Sequence, residues 1–117
     1  MKQVEVQSFA SKEYAYSQAR RHDRIPVDFS VTLRWSGLRL ADRARDLSEG
    51  GLGIQTHEPI EPMTLVSMHL DLPHSSGVDL LGRVMWSRAD SMGIRFESND
   101  PRLLDTLHRL RTDFDRL

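Results

Sequence analysis

Residues 28–45, DFSVTLRWSGLRLADRAR, decide the fold class. Phe29, Val31, Leu33 and Trp35 alternate with Asp28, Ser30, Thr32 and Arg34. Period two marks a strand that buries one face. Ser36-Gly37 is a turn signal, and Leu38 to Arg45 continues as a second strand, so the stretch predicts a hairpin. Working outward, Leu52 to Thr56 reads as a short strand. His57 to Pro62 reads as a loop, because its two prolines deny ladder donors. Thr64, Val66, Met68, Leu70 and Leu72 alternate again, and the segment from Pro73 to Gly77 closes that strand. Val78, Leu80, Gly82, Val84 and Trp86 define a longer strand, and Met92, Ile94 and Phe96 a last one.

The period then changes. Asn99-Asp100-Pro101 places a capping side chain before a proline at the first helical position. Leu103, Leu104, Leu107, Leu110, Phe114 and Leu117 recur at helical spacing, which predicts a helix over about 101–116 with one apolar stripe to cover. The expected class is all-β with a terminal helix: a six-stranded antiparallel β-barrel with a C-terminal α-helix packed on it. That unit would occupy residues 20–117. Residues 1–19 lack clear periodicity and read as an N-terminal extension.

Composition narrows the function. The 117 residues are one domain's worth, and 38% hydrophobic content suffices for a modest core. No apolar run reaches the ~18 residues of a membrane span, and MKQVEVQSFASKEY carries no apolar signal core. The expected compartment is the cytoplasm, without membrane insertion. There are no cysteines, which excludes a disulfide scaffold, a thiolate zinc site and a cysteine nucleophile. The five histidines show no two-His metal spacing on one element, so no metal is expected. No G-x-S-x-G, P-loop or zinc-hydrolase motif occurs, and nothing positions an imidazole for Ser48 and Asp46. An enzyme is not expected.

Charge is uneven along the chain. Residues 20–45 carry seven Arg against three Asp, whereas residues 46–82 carry six acids and no Lys or Arg. The net charge is −1, where a duplex-binding domain carries a basic excess. With aromatics at 7%, mostly in apolar alternation, a single-strand nucleic-acid binder is also disfavoured. A local basic segment points instead to a small anion.

Two segments break the local rules beside strands. Arg20-Arg21-His22-Asp23-Arg24 sets three guanidiniums within five residues, which repel unless an anion or acids screen them. Asp46-Leu47-Ser48-Glu49-Gly50-Gly51 offers a carboxylate, a hydroxyl and a glycine that can face one side of a turn. Arg forks fit phosphate oxygens and the O6/N7 edge of guanine. A carboxylate accepts only, so it complements the guanine N1–H and N2–H2 donors. Together they suit a guanine nucleotide better than bare phosphate.

Arg20-x-x-x-Arg24 followed by Asp46-x-Ser48-x-x-Gly51 resembles the RxxxR and (D/N)xSxxG signature of PilZ domains, bacterial receptors for cyclic di-GMP. Gly82-Arg83-Val84-Met85-Trp86 and Gly93-Ile94-Arg95-Phe96 are similar to the family's late strands. The resemblance implies a stand-alone cyclic di-GMP receptor that uses no other cofactor. Arg20 and Arg24 would contact phosphates and guanine Hoogsteen edges, and Arg21 would add a phosphate contact. Asp46 and Ser48 would bind a guanine edge, Gly51 would permit the turn, and Trp86 would place an aromatic near the ligand, with Arg83 nearby. Ligand would order the Arg20–Arg24 arm over the barrel, and a downstream protein would read the result. The alternative is a protein-interaction adaptor on the same barrel with a weak or unused nucleotide site.

Overall fold

A computed structural model describes residues 24–115, with side chains through 113. The N-terminal extension and the expected site residues Arg20 and Arg21 lie outside the described residues. Six strands form: β1 (Ile25–Trp35), β2 (Leu38–Leu47), β3 (Gly51–Gln55), β4 (Leu65–Leu70), β5 (Val78–Ser87) and β6 (Ser91–Phe96). They close into an antiparallel barrel in the order β1-β2-β3-β6-β5-β4, and α1 (Pro101–Asp115) follows. The expected class is the observed one.

Alternation builds the interior. Val31, Leu33, Leu52, Ile54, Met68, Leu70, Met92 and Ile94 point inward and are fully buried. Each such side chain contributes roughly 1.5–3 kcal/mol of burial free energy before entropy is charged against it. The first hairpin turns on Ser36 (φ 48°) and Gly37 (φ 75°). Two successive left-handed residues match the twist of the strands they join.

The helix starts as its sequence asks. The Arg102 N–H donates to Asp100 Oδ1 at 2.9 Å, and Pro101 occupies the first turn. The Asp100 carboxyl is held below its usual range, chiefly by the hydrogen bond from the Arg102 side chain. Leu103, Thr106 and Leu107 are buried and Leu110 packs against the core. Leu104, expected in the same stripe, is exposed instead. It lies about 100° around the helix from Leu103 and faces water. No helix among the described residues is long and apolar enough to cross a membrane.

The strand ends differ from the alternation in one place that matters. Asp46 and Leu47 belong to β2 and Gly51 to β3, so the expected six-residue loop shrinks to the three residues between them. The β2–β3 register slips between Ala44 and Asp46, which puts one extra residue into β2. That bulge breaks the period-two pattern and makes a strand end look like loop. A second slip lies between Val84 and Trp86 on β5, and a third between Pro26 and Phe29 on β1.

Candidate functional site

The register aligns four residues across four strands. Asp46 pairs with Gly53, Gly53 with Gly93, and Gly93 with Trp86. Leu52, Ile54, Met92 and Ile94 fill the core, so alternation sends Gly53 and Gly93 to the outer surface. Two adjacent glycines leave a trough there. Asp46 leans into it from one side: a Cβ on Gly53 would stand 2.7 Å from Asp46 Oδ2. Trp86 leans in from the other, its indole Nε1 lying where a Cβ on Gly93 would go. The two bulges re-aim these side chains, since a bulge rotates the residues after it relative to the partner strand.

Arg24 immediately precedes β1, and Pro26 lies opposite Asp46 in the register. The Arg24 Nη1 donates to Asp46 Oδ1. Its side chain is only 4% exposed, against 21% for Asp46. Burial pulls the Arg24 guanidinium below its usual pKa, and the charge and hydrogen bond of Asp46 oppose that shift. At the C-terminal end of the Arg segment, Arg24 is anchored on Asp46, and Ile25 is already in the core. The physical reason is an acid 22 residues away, which compensates a charge that local repulsion alone would push into solvent.

A cavity of about 300 Å3 opens beside the trough, lined among others by Arg45, Asp46, Gly53, Gln55, Trp86 and Arg88. The Arg88 guanidinium lies over the Trp86 ring, 5.0 Å from its centroid. Arg45 donates to Gln55 Oε1 at 2.8 Å and pairs with Asp28 at 3.2 Å. The wall therefore combines guanidinium forks, a carboxylate, and an indole edge beneath Arg88, seated over two glycines. That set can hold a planar heterocycle with both donor and acceptor edges, next to an anion.

The other expected residues fall elsewhere. Ser48 is buried in its own turn, where its N–H donates to Gly51 O at 2.9 Å and its Oγ accepts from Gly50 N–H at 3.3 Å. This is local turn chemistry. Gly51 opens β3, and its φ is not among the positive values, so its place in the turn does not rest on a left-handed backbone. Neither Ser48 nor Gly51 lines the cavity. Arg83 donates to Met63 O at 2.9 Å, also away from it. Sequence reasoning missed Gly53, Gly93 and Arg88. Their roles come from cross-strand register, and the lone hint was a glycine inside each of two apolar strands.

A second hollow of about 280 Å3 lies against α1, lined by His74, His108, Arg109, Thr112 and Asp113. Among the described residues, its lining holds no Phe, Tyr or Trp and no residue of either motif. Among the described residues, no group of three His, Asp or Glu could hold a metal.

Comparison with known proteins finds one family and several solved structures. The PilZ domain family model matches residues 18–112. No sequence match to a curated protein was found. Among solved structures, the PilZ domain of CeSA from a cellulose-synthesizing bacterium is similar at 18% identity and TM-score 0.60, over 79% of this chain and 97% of that one. The PilZ domain of YcgR from Escherichia coli, solved with c-di-GMP, is 16% identical with TM-score 0.66, over 83% and 92%. PlzA from Borreliella burgdorferi, in complex with c-di-GMP, is 13% identical with TM-score 0.53, over 92% and 58%. At these identities the structures establish a shared fold.

Proposed function

The chain belongs to the PilZ domain family, and from that premise we propose that it is a cytoplasmic receptor for cyclic di-GMP, a binding module and not an enzyme. One observation carries the reading. The last residue of RxxxR, Arg24, meets the first residue of DxSxxG, Asp46, at the end of an outer-face row that finishes on Trp86. The end of one motif and the start of the other, 22 residues apart in sequence, thus meet beside the trough.

The roles follow from chemistry. The Asp46 carboxylate accepts from guanine N1–H and N2–H2. The guanidinium of Arg88, stacked over the largely buried Trp86 indole, offers a plane for base stacking. Arg20 and Arg21, just ahead of Arg24, supply forks for the two phosphates. Ser48 and Gly51 shape the turn that follows Asp46 and hold its end of β2 in place. Ligand phosphates cancel repulsion within the Arg segment, so ligand adds amide-exchange protection across residues 18–23. A downstream protein then reads the surface formed by that segment and the barrel. The relatives solved with c-di-GMP, YcgR and PlzA, support the ligand.

The competing reading is a protein-interaction adaptor whose nucleotide site is weak or unused. Two contacts favour it: Asp46 is already engaged by Arg24, and Ser48 by its own turn. Calorimetry separates the two. Cyclic di-GMP should bind, and cyclic di-AMP should bind far more weakly, because adenine reverses donor and acceptor at the edges read here. Arg20→Ala should weaken binding about tenfold, the loss of one charge-assisted contact. Equal affinity for both dinucleotides, or no heat with either, contradicts the receptor reading.

A further inference from the structure

We propose that the outer face of β4 and β5, flanked by Arg34 and Arg39, docks an acidic, apolar-bearing segment of a partner protein. The proposal does not depend on the nucleotide reading.

Three observations on one surface support it. Met63, Leu65 and Leu81 are 52%, 47% and 46% exposed. Leu65 faces Arg83 and Ser67 faces Leu81 across the β4–β5 ladder, so the two leucines are diagonal neighbours on the same face. Met63 is two residues ahead of Leu65.

Met63 also sits at φ 75°. A long, unbranched side chain gains nothing from that left-handed backbone. The conformation is held from both sides: the Met63 N–H donates to Val84 O at 2.6 Å, and its carbonyl accepts from Arg83 Nη1 at 2.9 Å. Strain fixed in this way clusters at functional surfaces, and a thioether adapts to varied partners.

The charge observation names the occupant. Arg34 lies directly opposite Arg39 in the β1–β2 ladder, and opposite Ser67 in the β1–β4 ladder. Like charges directly opposite are unfavourable. Both are exposed, and neither has an ion pair or hydrogen bond among the described residues. Arg43 on the same strand, by contrast, has Asp28 at 2.8 Å. A guanidinium pair left uncompensated beside an apolar strip complements carboxylates alternating with apolar side chains.

The test uses the full chain and two synthetic twelve-residue peptides. One alternates Leu or Phe with Asp or Glu; the other replaces every acid with Lys. Backbone amide shifts are followed by NMR. The acidic peptide should saturably shift residues 34, 39, 65, 67 and 81, and the basic one should not. Arg34→Glu places a carboxylate opposite Arg39, so Tm should hold or rise while peptide affinity falls roughly fivefold. Cyclic di-GMP calorimetry on that variant should match wild type, which keeps this proposal's failure distinct from the receptor's. Equal shifts with the basic peptide overturn the proposal, as does the absence of shifts. Concentration-dependent shifts of the same residues without peptide would assign the face to a second copy of the chain. Binding only to phosphatidylserine vesicles would assign it to anionic lipid. Either result also overturns it.

Discussion

Two outer faces of one barrel follow different rules. On the β2–β3–β6–β5 side, two glycines stand next to each other and the flanking strands carry register slips at Ala44/Asp46 and Val84/Trp86. On the β1–β4–β5 side the ladders run without a slip, and side chains such as Thr32, His69 and Asp79 occupy successive positions of one row. The first face is hollow and draws a carboxylate and an indole inward over bare backbone. The second is filled and presents its side chains to solvent. A regular ladder makes a surface, and a bulged ladder over glycines makes a recess that a ligand can enter.

The largest expected effect breaks the hollow face at its charge pair. Asp46→Ala leaves the nearly buried Arg24 guanidinium without its carboxylate, and losing one partner of a buried pair costs about 3 kcal/mol or more. Arg24→Ala should cost less, because Asp46 is more open to water. Urea unfolding of both variants checks the order; equal losses would mean that Arg24 is better hydrated than its exposure indicates.

Next is the trough floor. Gly93→Ala sets a methyl where Trp86 Nε1 lies. Overpacking of this kind costs roughly 1–3 kcal/mol, and the displaced indole should shift Trp86 fluorescence. A matched change on the filled face, Thr32→Ala, should stay within about 0.5 kcal/mol. If both substitutions prove equally mild, the trough has no special packing.

The smallest effect belongs to the filled face and depends on pH. His69 Nδ1 lies 2.8 Å from Asp79 Oδ1, and its Nε2 lies 3.3 Å from Asp71 Oδ1. The hydrogen bond to Asp79, with the charges of both acids, raises the His69 pKa above its ordinary 6.5. A raised folded-state pKa stabilises fully below the unfolded value and fades as pH rises through the folded one. His69→Gln should therefore lower Tm slightly at pH 5.5 and leave it unchanged at pH 9. A loss of equal size at both pH values would show packing, not charge.

Much of this contrast was legible in the sequence. Period-two alternation at Phe29–Trp35 and Val78–Trp86 located the strands, and Asn99-Asp100-Pro101 located the helix start, because both signals are local. The extent of β2 was not, since the bulge at Asp46 hides a strand end behind a broken period. Arg24 and Asp46 stood out in the sequence as candidates through their motifs, and Trp86 through the late-strand resemblance. That Arg24 is buried against Asp46 was not readable, because it depends on closure of β1 against β2. Gly53 and Gly93 looked like ordinary strand glycines. Their partnership exists only in the β3–β6 pairing, between positions 40 residues apart. Ser48 carries a turn hydrogen bond that the motif alone could not separate from ligand contact.

The central claim is that cyclic di-GMP sits in the trough between Asp46 and Trp86. The chain has two tryptophans, Trp35 and Trp86, so Trp35→Phe leaves Trp86 as the single reporter. Fluorescence of that variant should change saturably as cyclic di-GMP is added, with the same midpoint as calorimetry, and should not respond to cyclic di-AMP over that range. Calorimetric binding of cyclic di-GMP that leaves Trp86 emission unchanged would place the ligand elsewhere and contradict the account.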